Sequence, residues 1–214
     1  MSTLYLDLDG TLVDVRRRHY LAYADTLLEL GVTPLADRHY WTQRRRGART
    51  FDLLSGCRHS QRQRFVETWL KRIESPEYLR LDTLIPGAIA ALGCLAERYD
   101  LVLITLRRDG DSLKEQLARL GLTRLLSRVY WRMDCAGTSS KAQLIRRVSP
   151  GVAAPSLVVG DSEADIEAAR ELGIQSVCVT TGVRNRSYLE AVGAHHVIRS
   201  ISRLPELLLS PWDV

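Results

Sequence analysis

Cysteine is sparse in this 214-residue chain, and its four copies, Cys57, Cys94, Cys135 and Cys178, stand far apart with no Cys-x-x-Cys pair. That spacing excludes a disulfide scaffold and a thiolate zinc site, and it predicts reduced, mostly buried thiols. Long apolar runs are also missing, so no segment can cross a bilayer as a helix. The opening Met-Ser-Thr-Leu-Tyr-Leu-Asp has no basic stretch ahead of an apolar one, which argues against a signal peptide and predicts a cytoplasmic protein. A strong charge imbalance is absent too: 30 Lys and Arg against 25 Asp and Glu give +5. This mild excess favours an anionic ligand, but no helix-turn-helix or zinc-finger pattern accompanies it, so nucleic acid is not the expected partner. Internal repeats and low-complexity tracts are not present.

What is there alternates. Thr3 to Leu8 is apolar and strand-like and stops at Asp9-Gly10, where glycine permits a tight turn. Leu101 to Thr105, Ser156 to Gly160 and Ser176 to Thr180 are short, apolar and β-branched, as strands buried on both faces should be, and Arg128 to Trp131 is a weaker fifth. Helical patterns fill the intervals at about 86–99, 109–120, 139–148 and 163–172, some ending at glycines such as Gly121 and Gly173. The fold class is therefore α/β, an open doubly wound parallel sheet whose ligands bind beyond the carboxyl ends of the strands.

One interval breaks the rhythm. Between Asp14 and Thr83 there is no convincing strand, but helical stretches at roughly 16–30, 38–56 and 60–74 carry many arginines and Trp41 and Trp69. That is longer than a crossover requires, so residues 15–84 are expected to form an inserted helical cap, with 1–14 and 85–214 as the core. The two tryptophans are expected to pack the cap, Asp14 to cap its first helix, and His19, His39 and His59 to lie on the surface.

All the polar residues of interest fall at strand ends. Asp7 and Asp9 close the first strand two residues apart, and two carboxylates in one cleft need a compensating cation. The run Asp7-Leu8-Asp9-Gly10-Thr11 resembles the nucleophile motif of the haloacid dehalogenase-like superfamily, most of whose members are phosphatases. Thr105 matches its second motif, Lys141 its basic third, and Gly160-Asp161-Ser162-Glu163-Ala164-Asp165 its acidic fourth. The run from Gly160 to Ala169 looks like the phosphoglycolate phosphatase-like branch, which also carries a helical cap after the first motif.

The resemblance implies a Mg²⁺-dependent phosphohydrolase acting on a small soluble phosphate ester. Asp7 would be the nucleophile, forming an aspartyl-phosphate. Asp9 would protonate the leaving group and then activate water. Asp7, the Asp9 carbonyl and Asp161 would hold Mg²⁺, with Asp165 in support. Thr105, Lys141 and the backbone around Leu8, Gly10, Thr11 and Leu106 would receive the phosphoryl oxygens. Of the cap arginines, among them Arg16, Arg17, Arg18, Arg44, Arg45 and Arg46, Arg49 is the candidate to reach a substrate carboxylate or second phosphate. Arg107 departs from the small polar residue common in the second motif. Phosphomutase chemistry on the same core is the alternative reading. A non-catalytic binding protein and a metal-free dehalogenase are weaker ones, because Asp7, Asp9, Lys141 and Asp161 are all present.

Overall fold

The computed structural model describes residues 2–132, 140–152 and 154–209. Cys135 and the first residue of the 139–148 pattern lie outside them. Strand β1 (Ser2–Leu6) is followed by a two-residue strand β2 (Val13–Asp14) and then by α1 (Arg16–Glu29), α2 (Asp37–Arg45), α3 (His59–Arg72) and the short α4 (Pro76–Leu79). The chain returns through β3 (Thr83–Leu84), which pairs antiparallel with β2. From there strands and helices alternate: α5 (Ala88–Leu95), β4 (Tyr99–Thr105), α6 (Gly110–Arg119), β5 (Arg128–Trp131), α7 (Lys141–Val148), β6 (Leu157–Gly160), α8 (Glu163–Leu172), β7 (Gln175–Val179), α9 (Arg186–Val192), β8 (His196–Ile198) and α10 (Leu204–Leu209).

The main sheet is parallel, in the order β5-β4-β1-β6-β7-β8. Side chains alternate across it. Leu4, Leu6, Leu101, Leu103, Val159 and Val177 feed one buried cluster, while Tyr5, Val102, Ile104 and Val158 feed another on the opposite face. Removing one such leucine side chain would cost about 2–5 kcal/mol. From β1 the chain builds outward to β4 and β5 on one side, then crosses back to β6, β7 and β8 on the other. Neighbouring loops after β1 and β6 therefore diverge and open a crevice at their carboxyl ends.

Three details differ from the sequence expectation. The sheet has six strands, the sixth being the three-residue edge β8, whose His196 and Ile198 gave little periodicity. The 38–56 pattern is split into α2 and a 3₁₀ turn at Thr50–Leu53, with Gly47 at φ +110 between them. Of the three described thiols only Cys178 is buried; Cys57 is half-buried and Cys94 is exposed.

Helices α1 to α3 share their own apolar cluster of Tyr23, Leu27, Tyr40, Leu54 and Phe65, against which Trp41 and Trp69 pack. Asp14 accepts the N–H of Arg16 at 3.0 Å, although Val15 occupies the position just before the helix. Among the described residues no helix is long and apolar enough to cross a membrane.

Candidate active site

Asp7 is the first residue beyond β1, and its N–H still bonds the Val159 carbonyl at 2.8 Å, which keeps the strand direction. Asp161 stands at the matching place after β6, and Asp165 lies one turn into α8. Each of the three can place a carboxylate oxygen within 4.8 Å of the other two, and all three are buried. Lys141, at the start of α7, bridges Asp7 Oδ1 and Asp165 Oδ1, both at 2.6 Å. The other Asp165 oxygen accepts from the Ser162 N–H and hydroxyl at 3.1 and 2.9 Å, fixing the first turn of α8. Asp161 Oδ2 accepts the Val183 N–H at 2.6 Å.

Backbone approaches this closely only because side chains are missing. A Cβ on Gly182 would lie 1.8 Å from Asp161 Oδ2, and one on Gly10, already at φ +82, would lie 2.4 Å from it.

Two of these three buried carboxylates, Asp7 and Asp165, touch the Lys141 ammonium. Burial, with Asp165 adding to it, pushes the Asp7 carboxyl up to about 7 against the pull of Lys141. Asp161 is driven well above the usual carboxylate range by burial and by Asp7 and Asp165. Burial alone would depress Lys141, yet Asp165 and Asp7 hold it above its ordinary value. Such a set of hard oxygen donors, two of them forced towards protonation, fits a divalent cation such as Mg²⁺.

Asp9 sits in a different environment. Its carboxylate receives Arg107 Nε at 2.9 Å, Arg107 Nη2, and Arg18 Nη2 at 2.6 Å. Arg18, fully buried, also binds Asp82 and the Ile73 carbonyl, and Gln116 bridges Arg107 and Asp82. Burial would raise the Asp9 carboxyl, but Arg107 and Arg18 outweigh it and hold the group far below its normal range. Two aspartates and two arginines close this network.

These groups floor a cleft of about 460 Å³ roofed by residues of α1 to α3 and the 3₁₀ turn, including His19, Arg44, Phe51 and Trp69. Arg184 ties floor to roof: it pairs with Glu163 at 2.6 Å and donates to the Arg44 and Ala48 carbonyls. Across the cleft, Arg108 donates to Glu74 and to the Leu70 carbonyl. Three roof nitrogens, His19 Nδ1, Arg44 Nε and Trp69 Nε1, are buried without a hydrogen-bond partner among the described residues.

Asp7, Asp9, Thr105, Leu106, Lys141 and Asp161 all line this cleft. Leu8 and Thr11 are buried and do not line it, and the Thr11 hydroxyl has no partner among the described residues. The Thr105 hydroxyl accepts the Arg107 N–H at 3.4 Å. The Asp9 carboxylate falls outside the three-acid group, and both Asp165 oxygens are already occupied. Arg49 reaches only the rim, where it is exposed and paired with Asp52. His19 is half-buried in the cleft instead of lying on the surface, stacked on Trp41. Sequence reasoning missed Asp82, Gln116, Gly182 and Arg184, and it did not single out Arg18 from the other cap arginines. Their partners are distant in the chain, and only the glycine before Val183 hinted at a close approach.

The model of the haloacid dehalogenase-like hydrolases matches residues 4–179. A phosphoglycolate phosphatase of Synechococcus elongatus is 29% identical over 197 residues, covering 89% of each chain. A haloacid dehalogenase-like hydrolase of Streptococcus pneumoniae has a structure of TM-score 0.82 at 20% identity, covering 97% of this chain and 98% of its own. A hydrolase of Pseudomonas syringae gives 0.70 at 23%, with coverage of 97% and 98%.

Proposed function

Because the chain belongs to the haloacid dehalogenase-like hydrolases, we propose that it is a Mg²⁺-dependent phosphatase that hydrolyses a small soluble phosphomonoester through Asp7. The observation that carries this reading is the surplus of buried carboxylate around Asp7: three acids, one lysine, and an open cleft above them. The relative from Synechococcus, named a phosphoglycolate phosphatase, supports the reaction class.

In this account an Asp7 oxygen attacks phosphorus in line as the bond to the leaving-group oxygen breaks, leaving the phosphoryl group on Asp7. Lys141, already 2.6 Å from Asp7, holds that carboxylate in place and adds positive charge beside the transferred group. Thr105 and the backbone at Leu8 and Leu106 offer donors to the phosphoryl oxygens. Asp7, the Asp9 carbonyl and Asp161 would hold the metal ion, with Asp165 keeping Lys141 and the α8 turn in register. When bound, Mg²⁺ offsets charge on the phosphoryl oxygens and on the acids.

Asp9 is the group placed to protonate the leaving oxygen and later take a proton from water. Held ionised by Arg107 and Arg18, it must first give up a bond from one of them and take up a proton from solvent, so acid catalysis is coupled to rearrangement of that network. Residues 15–84 act as the cap, closing the cleft against water, with the Arg184 and Arg108 contacts as its fastenings. The scattered free cysteines fit a cytoplasmic site of action.

The test is phosphate release from a panel of phosphomonoesters. Turnover is expected with Mg²⁺, none in excess chelator, and a loss of at least about 10³-fold in Asp7→Asn. Metal-independent turnover, or full activity in that variant, would refute the reading.

A further inference from the structure

The guanidinium of Arg44 is buried in the cleft wall with only 8% of the residue exposed, and among the described residues it forms no ion pair. Its Nη1 donates to the Ala48 carbonyl at 3.0 Å, while Nε has no partner among those residues. The nearest acids are already committed. Glu163 is taken by Arg184, and Asp161 by the Val183 N–H and its place beside Asp7. Burial accordingly depresses Arg44 below the usual arginine value, where a paired guanidinium would be raised. Desolvating a cation without a counter-charge is unfavourable, and a fold keeps one only when something offsets that cost.

The position of this cation is fixed relative to the reaction centre. Arg184 of the core donates to the carbonyls of Arg44 and Ala48, the Asn185 N–H bonds the Arg45 carbonyl at 3.0 Å, and Arg45 donates to Thr180. Gly47 lets the turn lie flat on the Tyr188 ring, which a Cβ there would strike at 2.3 Å. Arg49, just beyond that turn in the same stretch of cap, has the opposite character: exposed and neutralised by Asp52.

We propose that Arg44 is a specificity-determining residue that binds a second anionic group, a carboxylate or a phosphate, on the leaving-group half of the substrate. This rests on the phosphatase reading above and narrows it to phosphomonoesters carrying at least one further negative charge. The planar fork has Nε free for such a group, and the buried setting strengthens the bond. His19 and Trp69, with their unpartnered ring nitrogens, flank the same space and can bond further polar atoms of the substrate.

Two matched pairs of substrates test it with the Mg²⁺-loaded enzyme: phosphoglycerate against glycerol phosphate, and fructose 1,6-bisphosphate against fructose 6-phosphate. Within each pair the principal change is one anionic group. The wild type is expected to favour the anionic member of at least one pair by about 30-fold or more in kcat/KM. Arg44→Met should collapse that preference, mainly through KM, and Arg44→Lys should restore part of it. The pair that responds identifies the group as carboxylate or phosphate. Equal rates within both pairs, or a preference that survives in Arg44→Met, overturn the inference while leaving a phosphatase. If Arg44→Met does not fold, the wild-type preference and its partial loss in Arg44→Lys decide. A wild type inactive on every phosphomonoester overturns the phosphatase reading and this inference together.

Discussion

Two clusters of buried charge lie side by side at the carboxyl ends of the strands, and they are balanced differently. Around Asp7, three clustered carboxylates have one lysine, which pairs with Asp7 and Asp165; around Asp9, Asp9 and Asp82 face Arg18 and Arg107 two for two. The first cluster pushes Asp7 and Asp161 towards the protonated form, and the second holds Asp9 firmly ionised. The lesson is that burial of charge has two uses in one crevice. A cluster left short of positive charge is suited to receive a cation, while a balanced one is suited to hold its members still.

The sharpest way to break this contrast is to remove one acid from the unbalanced cluster. Asp161→Asn should lower phosphatase activity by at least about 10²-fold, since loss of a proposed metal ligand would weaken both affinity and catalysis. The same change should leave the chelator-treated protein as stable as the wild type or more so at pH 8, because it relieves repulsion; a thermal melt checks this.

Removing one cation from the balanced cluster should do the reverse. Arg18→Met leaves the buried Asp82 with Gln116 and the longer 3.5 Å contact of Arg107, removes a bond to Asp9, and is expected to cost about 3 kcal/mol, or roughly 10 °C in Tm for a chain of this size. The double variant Arg18→Met/Asp82→Leu should lose less than the two single changes combined.

A smaller effect follows from pH. The Asp7 carboxyl lies near 7 in the folded chain without metal and near its ordinary value when unfolded. A raised carboxyl contributes stability that is present below about pH 4 and is lost as pH rises through 7. The Tm of chelator-treated protein should therefore fall between about pH 5 and 8, and it should fall less in Asp7→Asn.

Smallest is the cap fastening. Glu163→Gln weakens the half-exposed partner of Arg184 and should change KM by about two- to five-fold with little change in Tm, given the modest worth of such pairs. Steady-state kinetics would reveal it.

Much of the frame could be read from the chain because parallel strands buried on both faces leave uninterrupted apolar runs, as in Leu101 to Thr105. Strands β2, β3 and β8 could not, since two or three residues at an edge carry no period. Asp7, Thr105 and Asp161 were legible for a similar reason, since each closes or directly follows a strand whose end the pattern marks, whereas Lys141 came from the family resemblance. The Asp9 network was not. Arg18 meets Asp82 across 64 residues and Arg107 meets Asp9 across 98, distances at which local pattern says nothing. The choice among the cap arginines was equally closed, because burial of Arg44 and exposure of Arg49 depend on a turn that Arg184 fastens from the core.

If a divalent cation completes the Asp7 cluster, a melting curve of the chelator-treated protein at pH 8, with and without added Mg²⁺, will show it. The account predicts that Mg²⁺ raises the Tm of the wild type by several degrees and that of Asp161→Asn far less. An unchanged wild-type Tm at millimolar Mg²⁺ would contradict it.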